Sequence, residues 1–316
     1  MPGELLPVRT DCKKKTLQML DSRGFPDDQS PDPTTPERAP IVLLHGLIES
    51  PAVWTRQRAA LEEAGHATLA PPLPGHRADA LHGLPARRLM QERDAIAGHL
   101  GDTIAARTGG GPVRLVGHSL GGLLALLIAR ERPGLVEDLL VVGAVHAGYP
   151  PRSPVEWLVV NTPAIGTVLA RWRLSRWLAC PDRFEAWMDA STAQGEQIAI
   201  ATDRWRRELQ GADPDTLRAL AAWLSRRDVT RELGRISCPV TCVICARDPV
   251  VAAEQQLALA RALPSGVARV LYSGHLPMLT TPKALSRVLL AWAGRPDRSA
   301  AAMPTAMPTA HAGSAA

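Results

Sequence analysis

The chain has 316 residues, and 46% of them are apolar, enough to bury a sizeable core in one large or two modest domains. Its 36 basic residues interleave with 31 acidic ones, so the net charge of +5 forms no concentrated patch and we expect no nucleic-acid partner. The first residues, MPGELLPVRTDCKKK, lack the apolar region of a secretory signal, and the longest charge-free apolar stretch is too short to span a bilayer. We therefore expect a cytoplasmic protein without membrane association, a monomer or a homodimer.

The two ends of the chain differ in composition from its centre. Residues 1–38 contain a possible edge strand, KTLQMLD, followed by a polar, proline-rich loop, and we interpret this segment as partly flexible. Residues 297–316 repeat small residues and proline and cannot bury enough surface to order themselves, which predicts a disordered tail.

Between these ends, short apolar strands alternate with helices. Strands are predicted at 41–45, 66–70, 113–117, 138–145, 240–246 and 267–272, and helices at 50–65, 84–107, 120–132, 254–263 and 283–292. Such alternation indicates a mostly parallel sheet with helices on both faces. The sheet would be built in two halves, residues 39–146 and 231–296.

The intervening residues, 147–230, break this alternation. They contain no convincing strand and hold six of the eight tryptophans: Trp157, Trp172, Trp177, Trp187, Trp205 and Trp223. A segment of this length is too long for an ordinary loop, and we interpret it as a helical cap. Its tryptophans could fill the interior of the cap or line an apolar pocket. Trp157, Trp187 and His146, which precedes the cap, are our candidate substrate contacts, with a buried structural role the alternative for His146.

Three cysteines lie close together in CPVTCVIC: Cys238, Cys242 and Cys245. A zinc site would require Cys242 and Cys245 to converge, but the apolar residues between them favour a strand, whose positions i and i+3 face opposite sides. We therefore expect buried reduced thiols and predict neither a metal nor an organic cofactor.

The segment GHSLG, residues 117–121, follows a predicted strand and opens a predicted helix. It matches the G-x-S-x-G pattern, in which a serine stands on a sharp strand-to-helix turn with its hydroxyl exposed. Gly117 and Gly121 would remove side chains that clash there, and the helix N-terminus adds unpaired N–H groups beside the serine oxygen. In this context we interpret Ser119 as a nucleophile rather than as part of a plain turn. His118 is a weaker candidate for a second base.

A serine nucleophile needs a base, and the base needs an orienting acid. With this pattern the acid and the histidine are expected in that order, each after a later strand. Asp248 follows one such strand and His275 follows the next. We therefore predict the triad Ser119, Asp248 and His275; a solvated loop aspartate and a structural histidine are the alternatives.

The developing oxyanion also requires N–H donors. One should be the backbone N–H of Leu120, directly after the nucleophile. The other should come from the loop after the first predicted core strand, where His45-Gly46 allows a tight turn; Leu47 is the candidate and Ile48 the alternative. One such donor contributes about 3 kcal/mol in the transition state.

Together these motifs resemble the α/β-hydrolase superfamily, in particular members with a helical cap. The resemblance covers about residues 39–292 and includes HG at 45–46, PLPGH at 72–76, GHSLG at 117–121, RDPVV at 247–251 and GHLPMLTTP at 274–282. It implies an eight-stranded sheet, a cap after the sixth strand, and the same triad. Arg77, Ala246 and Thr280 depart from residues frequent in the family, which leaves the substrate class open.

We interpret the chain as a serine hydrolase that cleaves an ester, thioester or lactone of a medium-sized apolar acyl group through a Ser119 acyl-enzyme. The same intermediate would serve an acyltransferase or cyclase, and the same triad would serve a hydrolase of C–C bonds. A non-catalytic ligand-binding protein on this scaffold is the alternative from another class.

Overall fold

The structure, a computed structural model, describes residues 38–77, 95–149, 151, 153–198 and 202–296. The predicted edge strand at 15–21, the first part of the helix predicted at 84–107, and the predicted tail at 297–316 lie outside the described residues.

The central sheet has six strands in the described part of the chain, and every neighbouring pair is parallel. The strands are β1 (Ile41–Leu44), β2 (Thr68–Leu69), β3 (Val113–His118), β4 (Val136–Val142), β5 (Val240–Cys245) and β6 (Gly266–Leu271), in the spatial order β2-β1-β3-β4-β5-β6. The expectation of eight strands is therefore wrong for the described residues. Each predicted strand is present, although β2 is only two residues long and β4 ends earlier than predicted, at the positive φ of Gly143.

Helices cover both faces of this sheet, as predicted. A 3-10 turn (Pro51–Trp54) precedes α1 (Thr55–Glu63), followed by α2 (Ala95–Arg107), α3 (Leu120–Glu131), α9 (Ala253–Ala262), α10 (Pro277–Thr280) and α11 (Pro282–Ala293). Alternate residues of β1 enter two separate hydrophobic clusters: Val42 and Leu44 one, Ile41 and Leu43 the other. Because successive side chains of a strand point to opposite faces, a fully apolar strand requires both faces to be covered.

The remaining helices form what we call the helical insertion, residues 147–230. They are α4 (Pro154–Asn161), α5 (Pro163–Leu178), α6 (Pro181–Asp189), α7 (Asp203–Leu209) and α8 (Pro214–Arg226). The two ends of the insertion lie side by side, because Ala147 and Asp228 form an antiparallel bridge. It follows β4, the fourth strand of the described residues and not the sixth.

Local sequence accounts for where the helices of the insertion begin. Proline occupies the first position of α4, α5, α6 and α8, where its missing N–H costs no hydrogen bond. Ser153 caps α4 by accepting from the Glu156 N–H at 3.1 Å, and Asp213 caps α8 by accepting from the Thr216 N–H at 3.2 Å.

Within the described ranges, no helix has the length and apolar character needed to cross a membrane.

The clustered cysteines lie in and beside β5, as the strand prediction required. Cys238, Cys242 and Cys245 are buried free thiols. Burial raises the pKa of Cys242 to about 12, so this thiol remains protonated at neutral pH.

Candidate active site

Ser119 stands on the turn between β3 and α3, with φ 51° and ψ −114°. This backbone conformation is strained for a residue with a side chain, and the fold maintains it by a hydrogen bond from the Ser119 N–H to the Val142 carbonyl at 3.0 Å. A Cβ atom on Gly117 would lie 2.5 Å from the Gly121 carbonyl oxygen, and one on Gly121 would lie 2.5 Å from the His45 carbonyl oxygen. The interpretation of both glycines as steric clearance is therefore confirmed.

Asp248 and His275 meet at the same edge of the sheet, because both follow the carboxyl ends of neighbouring parallel strands. His275 Nδ1 lies 2.7 Å from Asp248 Oδ2, and the aspartate side chain is fully buried. With Nδ1–H donated to the carboxylate, the other ring nitrogen, Nε2, is left as the acceptor that a general base requires. Ser119 and His275 line the same cavity.

Further hydrogen bonds orient the Asp248 carboxylate. Its Oδ1 accepts from the backbone N–H groups of Val250 at 2.7 Å and Val251 at 2.9 Å. Its Oδ2 also accepts from Gln256 Nε2 at 3.0 Å. The carboxylate therefore has one defined orientation toward His275. Gln256 stands on α9 and belongs to no sequence motif, so no pattern predicted this contact.

Gly143 lies directly against this pair, at φ +54°. A Cβ atom at this position would lie 3.3 Å from Asp248 Oδ2 and 3.4 Å from His275 Nδ1. Both the positive φ and the close approach of the two polar side chains favour glycine here. The strand predicted at 138–145 includes Gly143 and therefore does not indicate this role.

The predicted oxyanion donors are the backbone N–H groups of Leu120 and Leu47, with Ile48 as the alternative to Leu47. Leu120 is the first residue of α3, so its N–H has no acceptor within the helix. In the facing loop, the Ile48 N–H donates to His76 Nε2 at 3.1 Å, which occupies this donor. Leu47 and Ile48 both line the cavity, so it is this hydrogen bond of Ile48 that favours Leu47 as the candidate.

Two buried neutral histidines support that loop. His45 Nδ1 lies 2.9 Å from the Gly46 carbonyl oxygen, and its Nε2 accepts from the Leu73 N–H at 3.0 Å. Burial lowers the pKa of His45 to about 4, which agrees with an acceptor nitrogen. Burial also lowers the pKa of His76, so both imidazole rings are neutral and can accept hydrogen bonds from backbone N–H groups.

His118 forms a buried ion pair with Glu49, which the sequence analysis missed. His118 Nδ1 lies 2.9 Å from Glu49 Oε1, and its Nε2 donates to the His275 carbonyl at 2.8 Å. Glu49 Oε2 in turn accepts from the Gly46 N–H at 2.6 Å. Burial opposes the charge on His118, but the Coulombic attraction and hydrogen bond of Glu49 outweigh it and raise the pKa of His118. Because both ring nitrogens are engaged, His118 has no free acceptor for a second-base role.

The helical insertion also anchors the loop that carries His275. The His275 N–H donates to the Ser191 carbonyl at 3.0 Å, and the Gly274 N–H donates to both carboxylate oxygens of Glu196 at 3.0 Å. Asp248 thus orients the side chain of His275, and the helical insertion fixes the backbone of Gly274 and His275.

The cavity above Ser119 has a volume of about 630 Å³ and is largely apolar. Trp177, Trp187 and Trp205 of the insertion line it, with ring centroids 5.1 Å apart for the first two and 5.9 Å for the last two. A cavity of this kind, holding a few polar groups, is typical of small-molecule sites.

The three predicted substrate contacts are not all brought to this cavity. Trp187 lines it, whereas Trp157 is 54% exposed and lies outside the lining, so the prediction for Trp157 is wrong. Helix α4 turns Glu156, Val159 and Val160 to the cavity, a helical face that excludes position 157. His146 is buried and does not line the cavity, which corrects that prediction in favour of the structural alternative.

The fold and this arrangement at the carboxyl edge of a parallel sheet define a class of protein, and a family model identifies it. Residues 41–288 match the model of the alpha/beta hydrolase family. The chain therefore belongs to the alpha/beta hydrolase family and is a hydrolase.

Individual relatives agree with this assignment. The chain is 30% identical to a pimeloyl-(acyl-carrier protein) methyl ester esterase of Aromatoleum aromaticum over 78% of this chain and 94% of the relative. It is 24% identical to an (E)-2-((N-methylformamido)methylene)succinate hydrolase of Acinetobacter baylyi, covering 81% and 90%. Among solved structures, an esterase from Exiguobacterium antarcticum superimposes with a TM-score of 0.64 at 18% identity, covering 81% of this chain and 92% of the other, which shows the shared fold.

Proposed function

We propose that this protein is a serine hydrolase that cleaves a carboxylic ester, thioester or lactone with an apolar acyl group. One observation carries the proposal: Ser119, on a strained turn, shares a cavity with His275, whose Nδ1 is bound to buried Asp248. Two relatives named as an esterase and a hydrolase support the same reaction class.

The proposed reaction begins when Ser119 Oγ attacks the acyl carbonyl carbon while His275 Nε2 accepts the hydroxyl proton. The N–H groups of Leu47 and Leu120 stabilise the tetrahedral oxyanion. His275 then returns the proton to the leaving alcohol or thiol, which leaves an acyl-enzyme on Ser119. Asp248 stabilises the transient imidazolium and maintains its tautomer.

In the second half, His275 deprotonates a water molecule that attacks the acyl-enzyme. Collapse of the second tetrahedral intermediate releases the carboxylic acid and returns the proton to Ser119. The apolar wall formed by Trp177, Trp187 and Trp205 favours an acyl chain with substantial hydrocarbon surface.

A fluorophosphonate probe tests the nucleophile. We expect wild-type protein to be labelled once, on the tryptic peptide that contains Ser119, and Ser119→Ala to remain unlabelled. Equal labelling of both proteins, or no labelling of the wild type, would refute the assignment. Turnover of a series of acyl esters of increasing chain length then measures which acyl group the cavity accepts.

A further inference from the structure

Two arginines of the helical insertion line the cavity that contains Ser119 and His275. Arg173 stands on α5 and Arg218 on α8, whereas the nucleophile and the base come from the sheet edge. A substrate in this cavity would therefore meet reactive groups on the sheet side and guanidinium groups on the insertion side.

These arginines lack the anionic partners that neighbouring arginines have. Within the described residues, neither Arg173 nor Arg218 forms a salt bridge, and the Nε of Arg218 is buried without a hydrogen-bond partner. Arg171, two residues before Arg173 on α5, binds both carboxylate oxygens of Asp215 at 3.1 and 2.6 Å. Asp215 lies within electrostatic range of Arg218, but its two carboxylate oxygens are hydrogen-bonded to Arg171. A ligand that supplies an anion would therefore give each cavity arginine a direct partner.

Stacking holds the Arg173 guanidinium in the cavity wall. Its central carbon lies 4.9 Å from the ring centroid of Trp177, which itself lines the cavity. Arg176 makes the same contact with Trp172 at 4.9 Å, but Trp172 is 56% exposed and neither residue lines the cavity. Both arginines thus stack on a tryptophan, but of the two only Arg173 lines the cavity.

Two carboxylates also line the cavity, and both take part in interactions within the protein. Glu49 is bound to His118 and to the Gly46 N–H, so its charge is compensated within the sheet edge. Glu156, on α4, is the remaining carboxylate of the lining. Glu156 has an interaction partner of its own, but its negative charge belongs to the cavity lining. Its removal should therefore have the opposite effect to removal of an arginine.

We propose that Arg173 and Arg218 form a subsite for an anionic group, a carboxylate or a phosphate, on the acyl part of the substrate. This inference rests on the proposed function, because it requires the acyl carbonyl to lie at Ser119. A guanidinium binds either oxyanion through paired N–H donors, while the tryptophan wall accommodates the hydrocarbon chain that joins the anion to the ester. The enzyme would then select acyl chains that carry a negative charge away from the reacting carbon.

A pair of matched esters tests this selection. One is the 4-nitrophenyl monoester of a linear dicarboxylic acid, and the other is the 4-nitrophenyl ester of the corresponding chain that ends in a methyl group. The measured quantity is the ratio of kcat/KM for the charged ester to that for the neutral one. We expect Arg218→Met and Arg173→Met each to lower this ratio by about 10- to 100-fold, the contribution of one charge-assisted hydrogen bond.

Two control variants sharpen the result. Arg176→Met removes a stacked arginine from the same helix outside the cavity and should leave the ratio within about twofold of wild type, because surface charges contribute little. Glu156→Gln should raise the ratio. An unchanged ratio in both Arg173→Met and Arg218→Met, or an equal fall in Arg176→Met, would overturn the subsite.

Binding to the Ser119→Ala variant separates the subsite from the reaction and distinguishes the two anions. Tryptophan fluorescence would follow binding of three acyl amides of equal length that end in a carboxylate, a phosphate or a methyl group. At least about tenfold tighter binding of a charged amide supports the subsite and identifies its preferred anion. Equal affinity for all three overturns it. Tight charged-amide binding together with a wild-type enzyme that cleaves no ester would refute the proposed function alone.

Discussion

The sheet edge and the helical insertion enclose the same cavity with opposite kinds of surface. At the sheet edge polar groups are paired: the Asp248 carboxylate alone accepts from Val250, Val251, Gln256 and His275. The insertion presents an aromatic wall with two arginines that form no salt bridge in the described part of the chain. Preorganised polar groups suit a fixed reaction, whereas an apolar wall with few charges suits the choice of substrate. Substitutions at the sheet edge should therefore alter the reaction, and substitutions in the insertion should alter the choice of substrate.

The largest effect should come from the sheet edge, at Ser119. We expect Ser119→Ala to lower kcat for an activated ester by about 10⁶-fold, because the members of a catalytic triad act as a unit. Steady-state turnover of a 4-nitrophenyl ester measures this, with circular dichroism as the control for folding. Turnover within tenfold of the wild type would show that the chemistry does not depend on this serine.

The second-largest effect is expected for Asp248→Asn, a loss of about 10⁴-fold in kcat, since an amide favours the wrong imidazole tautomer. The substitution preserves the shape of the side chain and its contacts with Val250 and Val251. The same ester assay measures the loss, and near-normal turnover would mean that another group orients His275.

Glu49→Gln should have a smaller effect on kcat, about tenfold, by loosening the loops that carry Leu47 and His275. It also leaves buried His118 without its counterion, which should reduce the free energy of unfolding by about 3 kcal/mol. Chemical denaturation measures the stability. Separate values of kcat and KM distinguish loss of positioning, which lowers kcat, from loss of binding, which raises KM.

The pH dependence of that stability difference provides the control for the charge. The raised pKa of His118 stabilises the fold fully below its ordinary value of 6.5, an effect lost as pH rises through the folded-state pKa. The lowered pKa of Glu49 stabilises above its ordinary value of 4.5, an effect lost as pH falls through its folded-state pKa. The advantage of wild type over Glu49→Gln should be greatest between these ordinary values and decline on both sides. A difference independent of pH would indicate a neutral pair.

The smallest effects on kcat/KM are expected from substitution of two tryptophans in the insertion, and the two substitutions should differ in size of effect. Trp187→Ala removes an aromatic ring from the cavity wall and should lower kcat/KM by about tenfold for long acyl esters, mainly through KM. Trp157→Ala, at an exposed position on α4, should change kcat/KM by less than about twofold. A series of ester chain lengths compares them, and equal losses in both variants would contradict the position of the cavity.

The order of the elements, the turn at Ser119, and the positions of Asp248 and His275 after later strands could all be predicted from the amino-acid sequence. These features are local or follow from one rule, that the carboxyl ends of parallel strands share an edge. The alternation of apolar strands and helices therefore indicated both the fold and the place where distant loops meet.

Only the tertiary structure decided which side chains face the cavity and which charges pair. Helix α4 is apolar on several faces, so Trp157 could not be assigned inward or outward until the packing of α4 against its neighbours was known. Likewise Glu49 lies in the loop after β1 and His118 is the last residue of β3, so no sequence motif joins them. Their ion pair exists because β1 and β3 are adjacent in the sheet. Such contacts depend on the docking of elements far apart in the chain, which no local pattern encodes.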